Sequence, residues 1–300
     1  MHSALILSIN AIIEAVFERK RTGSVLCASC GVLVGVNDAT CYNCGRRNPS
    51  LWGYAPALRA LGADLGVVPV LIGGNVAIFG FSLLRAMTHG GIQMGGMLSM
   101  FGPGPFVSLE LGASGVVPVF EWGRWWTVLS AGWLHGGILH LVFNMMALRQ
   151  LAPAIAELYG PARMTIIYVV ASIVGFTCSS LAGRFLPDLP LIGAGLMTVG
   201  ASASIAGLIG ALWHYGRRGG SRMAQSHAST YVLYMVVIGF MGGIDNWAHA
   251  GGFAGGYLAA RFLDPLTRER TDHIVVALVC LIVSLASVVV SFLVPLPRGI

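Results

Sequence analysis

Charge is scarce in this chain. Asp, Glu, Lys and Arg make up 10% of its 300 residues, where a soluble domain carries roughly 25%. Hydrophobic residues reach 56% and the mean hydropathy is +0.77, so an ordinary water-solvated surface is excluded and the chain reads as an integral membrane protein. Short segments of alternating polarity, which a membrane-spanning barrel requires, are missing as well, leaving helices of about 20 residues as the spanning elements. No basic stretch precedes the apolar opening at 4–17, and Glu14 interrupts it, which argues against a signal peptide. Leu5, Ile9, Ile12, Ile13 and Val16 recur there at helical spacing, so residues 1–22 read as an interfacial amphipathic helix.

What is present is a series of nearly charge-free runs at 65–84, 127–148, 164–181, 189–215, 224–244, 246–260 and 274–296, read as seven helices. Gly242-Gly243-Ile244-Asp245 divides the fifth run from the sixth; together they cover about 37 residues, too long for one span, so a tight hairpin is expected at Asp245. With alternating crossings, 14 of the 18 Lys and Arg fall on the side of the amino terminus and 4 (Arg85, Arg124, Arg184 and Arg298) on the other. Cytoplasmic loops carry the excess of basic residues, which puts the amino terminus in the cytoplasm and the carboxyl terminus outside. The net charge of +6 then calls for no nucleic-acid partner.

Composition changes abruptly over 23–50. Cys27-Ala28-Ser29-Cys30-Gly31 and Cys41-Tyr42-Asn43-Cys44-Gly45 form two matching knuckles. Two residues between thiolates let both reach one ion from a tight turn, and four thiolates complete a tetrahedral site with no open position. Cys27, Cys30, Cys41 and Cys44 therefore read as ligands of a structural Zn²⁺. Disulfides are the competing reading, against which a cytoplasmic location argues; the ligand set alone also accommodates iron. Cys178 and Cys280 stand alone in apolar runs and read as packing residues. The module resembles a zinc ribbon, which implies a docking or regulatory piece with a cytoplasmic protein partner.

Ser202 and His249 carry the candidate chemistry. The second, fourth and sixth runs cross in one direction, so polar residues near their starts share the outer half of the bilayer: His140 and Asn144, four apart on one helix face, then Ser202, then His249. Gly251/Gly255 and Gly252/Gly256 are paired small residues one turn apart, and Ala203/Gly207 offers a matching groove for close backbone approach. A neutral imidazole within about 2.6–3.2 Å turns a hydroxyl into a nucleophile. Ser204 points to a different helix face from Ser202.

These residues stand in Trp133-Leu134-His135-Gly136-Gly137 with His140 and Asn144, in Gly200-Ala201-Ser202 with Gly207, and in Asn246-Trp247-Ala248-His249-Ala250-Gly251-Gly252 with Gly255. In these three ordered motifs the chain resembles the rhomboid intramembrane serine proteases over roughly 65–296. The resemblance implies an all-α polytopic fold: a rhomboid-like core of six transmembrane helices over 51–264 and a seventh helix over 265–300, following the zinc-ribbon-like head at 23–50. It also implies a membrane-associated loop, matched by 88–126 with Trp122, Trp125 and Trp126, and a water-filled cavity open to the outside. By the same resemblance Ser202 attacks the scissile carbonyl and His249 serves as base and then acid, with no third acid. The backbone amide of Ser202, with Asn144 and His140, forms the oxyanion hole; such donors are worth roughly 3–4 kcal/mol each. His135 reads as structural, hydrogen-bonded within the loop. The chain departs from the family pattern at Trp126-Thr127, where Trp-Arg is usual, at Ala203 for glycine, and at Ala206 for the aromatic that packs on the histidine. His249 is then held by a ring only if another, such as Tyr231 or Tyr234, takes that place.

The expected function is an intramembrane serine endopeptidase that hydrolyses peptide bonds of single-pass transmembrane proteins within the lipid bilayer, with no metal or other cofactor in the chemistry. With no organelle-targeting signal read, the bacterial cytoplasmic membrane is the expected location. The alternative is a catalytically inactive rhomboid-like adaptor that binds membrane helices; retention of both Ser202 and His249 counts against it.

Overall fold

The computed structural model describes residues 18–60, 64–186, 195–240, 243–267 and 269–297. Most of the interfacial helix expected over 1–22 lies outside them. The chain forms two compact units, Met1–Gly66 and Val67–Ile300.

In the first unit, strands β1 (Ser24–Leu26) and β2 (Leu33–Gly35) pair antiparallel with Val25 opposite Val34. Val25, Cys27, Val34, Val36, Cys41 and Ala55 form its buried cluster, so the head extends past residue 50. A cluster this small cannot hold a fold by apolar burial alone.

Among the described residues the second unit carries seven long helices: α1 (Val67–Thr88), α2 (Ile138–Tyr159), α3 (Pro161–Phe185), α4 (Ser202–Arg218), α5 (Arg222–Gly239), α6 (Asn246–Phe262) and α7 (Thr271–Leu293). Four of them, α1, α2, α3 and α7, are long and apolar enough to cross a membrane. Of their most apolar windows, 61% is buried in α3 but only 28% in α1 and α7. Thus α3 is the central post, and α1 and α7 turn bulky apolar faces, among them Val70, Leu84, Ile282 and Leu293, outward. Leu71, Leu148, Ile155, Ile167 and Leu208 bind α1 to α4 through the main core. The α2–α3 turn is set by Gly160, at φ +90, followed by Pro161 at the first position of α3, where its missing N–H is not needed.

Two helix starts differ from those read from hydropathy. The second helix starts at Ile138, not 127: residues 127–137 instead form the short helix Thr127–Ser130, a 3₁₀ turn Ala131–Trp133 and an irregular strap ending at Gly137. The fourth starts at Ser202, not 189, and 195–201 is irregular. Ala131, Trp133, Leu134 and His135 are buried by protein. Buried irregular chain is as apolar as a spanning helix, so hydropathy merges the two. The fifth and sixth runs, by contrast, are separate helices, and the Asn246 side chain donates to Gly239 O at 2.8 Å across the turn.

Helix α6 is a wedge between α3 and α4, and its two glycine pairs divide the labour. On one face a Cβ at Gly251 would lie 2.6 Å from Cys178 Cβ, and one at Gly255 2.7 Å from Val174 Cβ, both on α3. On the other, Cβ atoms at Gly252 and Gly256 would overlap the carbonyl oxygens of Ala203 and Gly207 on α4. Backbone therefore meets backbone, as the small-residue spacing predicts.

Candidate active site and metal centre

The head brings its four cysteine sulfurs within 4.8 Å of one another. Cys27 and Cys44 Sγ lie 3.8 Å apart, Cys30 and Cys41 Sγ 3.6 Å. Sulfurs about 2.3 Å from a tetrahedral ion are separated by about 3.8 Å, so the donor set fits a closed tetrahedral centre and could hold a metal ion. Glycines Gly31 and Gly45, at φ +75 and +68, let each knuckle fold back, with Gly31 N on Cys27 O and Gly45 N on Cys41 O. Ser29 N donates to Cys27 Sγ at 3.5 Å. A backbone hydrogen bond from Val32 pulls the Cys30 thiol down to about 6, whereas burial pushes the Cys41 thiol up to about 11. Such amide-to-sulfur bonds favour thiolate, the form that binds metal.

In the second unit, the loop between α1 and α2 is pinned at both ends. Arg85, in the last turn of α1, makes a bidentate pair with Glu110, 2.7 Å at its shorter contact. Arg124 is 2% exposed and donates to Leu109 O at 2.8 Å and to Ser291 O on α7. Its guanidinium stands 5.8 Å from the Trp126 ring, and Trp126 Nε1 donates to Ser291 Oγ at 3.0 Å. The arginine expected after the tryptophan is thus supplied from two residues before it. Its signal in the sequence was a lone cation in an apolar loop.

That loop roofs a cavity of about 670 Å³, lined in part by Leu98, Ser99, His140, Phe176, Ser202, Asp245 and His249. Ser202 opens α4 and His249 sits in the first turn of α6, so the helix wedge carries both to the same end. Ser202 Oγ and His249 Nε2 are 2.8 Å apart. Gly200, at φ +132, packs its backbone against His140: a Cβ there would lie 2.7 Å from His140 Nε2. Gly136 N donates to His140 Nδ1 at 3.4 Å. With Nδ1 accepting, the neutral ring carries its proton on Nε2 and offers a donor toward Gly200 and Ser202.

Other expected positions fall differently. Asn144 is buried and is not among the cavity-lining residues; its Nδ2 donates to His140 O at 2.8 Å. His135 does not hydrogen-bond within the loop as expected: its ring nitrogens have no partner among the described residues, and it stands edge-on to His140 with centroids 5.1 Å apart. Packing on a neighbouring ring has replaced the hydrogen bond. Neither tyrosine takes the place of an aromatic at Ala206. Tyr231 packs against the main core and Tyr234 is exposed, and among the described residues no ring stacks on His249. Phe176 of α3, inconspicuous in a uniformly apolar run, and Phe240 are the phenylalanines among the described residues that line the cavity. Asp245, expected from the sequence to mark a hairpin, lines the cavity too.

A rhomboid domain model matches residues 122–266, the span that holds every residue of this cavity from Gly136 onward. The chain is 31% identical over 152 residues to "Putative rhomboid protease YdcA" of Bacillus subtilis, covering 49% of this chain and 71% of that one. It is 32% identical over 145 residues to "Rhomboid protease GluP" of the same organism, covering 47% and 26%. It is also 28% identical over 159 residues to "Inactive RHOMBOID-like protein 8" of Arabidopsis thaliana, covering 51% and 42%. The chain spans about half or less of the length of most of the curated relatives it matches. The motifs, the cavity and these matches agree: the chain belongs to the rhomboid family.

Proposed function

We propose that the chain is an intramembrane serine endopeptidase that cuts transmembrane proteins with a Ser202–His249 dyad. The observation that carries this reading is the 2.8 Å contact between Ser202 Oγ and His249 Nε2 inside a cavity of an otherwise apolar helix bundle. A buried ionisable group in a membrane helix is costly and is retained for a task. Helix α4 has 17 residues, about 26 Å of rise against a hydrocarbon core of about 30 Å. Its first residue, Ser202, then lies below the outer surface rather than at it.

The chemistry follows from the geometry. Ser202 Oγ bonds to the scissile carbonyl carbon as its proton passes to His249 Nε2 and the carbonyl π pair moves onto oxygen. When the tetrahedral adduct collapses, the C–N bond breaks and His249 returns the proton to the departing amine. Water then repeats the sequence at the acyl-enzyme, releasing the carboxylic acid and restoring Ser202. The developing oxyanion is met by the Ser202 backbone N–H, at a helix start whose amides are free, and by His140 Nε2–H. Asn144 keeps a second amide N–H besides the one given to His140 O, and joins by turning it into the cavity. A folded substrate helix hides its amide carbonyls, so substrates are single-pass helices that unwind in the outer leaflet. The amino terminus and the zinc-loaded head lie in the cytoplasm and the carboxyl terminus outside, in a bacterial cytoplasmic membrane, with the head available to a cytoplasmic protein partner.

Ala206, with no ring on His249, favours a second reading: a catalytically inactive adaptor that binds membrane helices. Cleavage of a transmembrane reporter in liposomes decides between the two. The protease reading expects cleavage by the wild type and none by Ser202→Ala; equal outcomes for the two chains refute it.

A further inference from the structure

Asp245 carries an inference that rests on the protease reading and deepens it. Among the described residues lining the cavity that holds Ser202 and His249, it is the sole carboxylate. It is also the N-cap of α6: its backbone leaves the helix at φ −87 and ψ +93, and Oδ1 accepts from Ala248 N at 2.9 Å. The first intrahelical bond of α6 runs from His249 N to Asp245 O at 3.2 Å, so the imidazole rides on the turn that this cap closes. The other carboxylate oxygen accepts from the Ser179 hydroxyl of α3. One side chain therefore fixes the start of α6 both to its own helix and to the central post. With both oxygens committed, the carboxylate is not hydrogen-bonded to His249 Nδ1, which has no partner among the described residues.

We propose that Asp245 is the positioning residue of the dyad: it sets the first turn of α6 that carries His249, and its fixed negative charge favours the imidazolium formed when His249 accepts the Ser202 proton. No proton passes to Asp245. The ring is neutral in the ground state and cationic at the tetrahedral adduct, so a nearby carboxylate stabilises the second more than the first, and only such a difference accelerates the reaction. The effect is large where the surroundings are water-poor and the charge is already in place. The second condition holds here, and the same group compensates for the lack, among the described residues, of an aromatic ring against His249.

The test uses the full chain in liposomes, with kcat and KM for a transmembrane reporter, the rate of fluorophosphonate acylation at Ser202, and the thermal unfolding midpoint. Asp245→Asn keeps a cap acceptor for Ala248 N and removes the charge. It is expected to unfold within a few degrees of the wild type, to keep its KM, and to lose tenfold or more in both kcat and acylation rate. Asp245→Glu, which restores the charge, should recover part of that loss. Ser179→Ala keeps the charge and cuts one tether, so it should fall less than Asp245→Asn. Wild-type rates in Asp245→Asn overturn the inference, as does a loss that tracks the unfolding midpoint across the variants or is as deep in Ser179→Ala. Should Asp245→Asn fail to fold, the comparison of Asp245→Glu with Ser179→Ala still decides, since the inference requires both to acylate. A wild type inert to reporter and probe alike overturns the protease reading, and this inference with it.

Discussion

At Gly200 the backbone adopts φ +132 and leaves no room for a side chain beside His140 Nε2. On the protease reading, that contact sets which donor is ready for the oxyanion. His140 lines the cavity with its Nδ1 occupied by Gly136 N, whereas Asn144 does not line it and commits one of its two amide N–H groups to His140 O. His140→Ala is therefore expected to lower kcat by about 10²–10³-fold, the usual effect of losing one oxyanion donor, and Asn144→Ala by less, measured on the same transmembrane reporter. Equal losses would place Asn144 in the hole from the start. Arg124 gives a stability counterpart. Arg124→Leu leaves the carbonyls of Leu109 and Ser291 without their donor, each at about 1–3 kcal/mol, so its unfolding midpoint in detergent should fall clearly below that of the wild type.

At the level of elements, the glycine faces of α6 set how closely it approaches α3 and α4. Gly252→Ala puts a Cβ into the Ala203 carbonyl, one residue from Ser202, and must separate α4 from α6. A displacement of about 1 Å is enough to cost roughly 10²-fold in rate. Gly73→Ala in α1 meets nothing within 4 Å and removes a flexible residue from a helix interior, so it should gain about 0.5–1 kcal/mol of stability. Reporter kinetics and thermal unfolding of this pair separate packing from propensity. The same elements show what the sequence could reveal. Spacing was enough for the knuckles, the three motifs and the glycine faces, because those are local patterns of residue type. The starts of α2 and α4 were hidden, since 127–137 and the segment before Ser202 are irregular chain with the apolar composition of helices. The roles of Asp245 and Phe176 were hidden for another reason: they depend on which elements meet, Phe176 being one apolar residue among many and Asp245 marking only the break between two runs.

On the scale of the molecule, the chain is two compact units, each with a centre of its own. The four sulfurs that fit a tetrahedral ion all lie in the first unit and the Ser202–His249 contact in the second. One metal ion per chain is expected by elemental analysis, falling to none in Cys27→Ser/Cys41→Ser, and its affinity should drop as pH is lowered because thiolates rather than thiols bind it. Removing the ion with a chelator should disorder the head while leaving acylation of Ser202 in place. The measurement that tests the central claim most directly is the mass of the intact chain after exposure to a fluorophosphonate in liposomes. The account predicts one adduct, located on Ser202 by fragmentation and absent in His249→Ala. No adduct on the wild type, or an adduct that persists undiminished in His249→Ala, would contradict it.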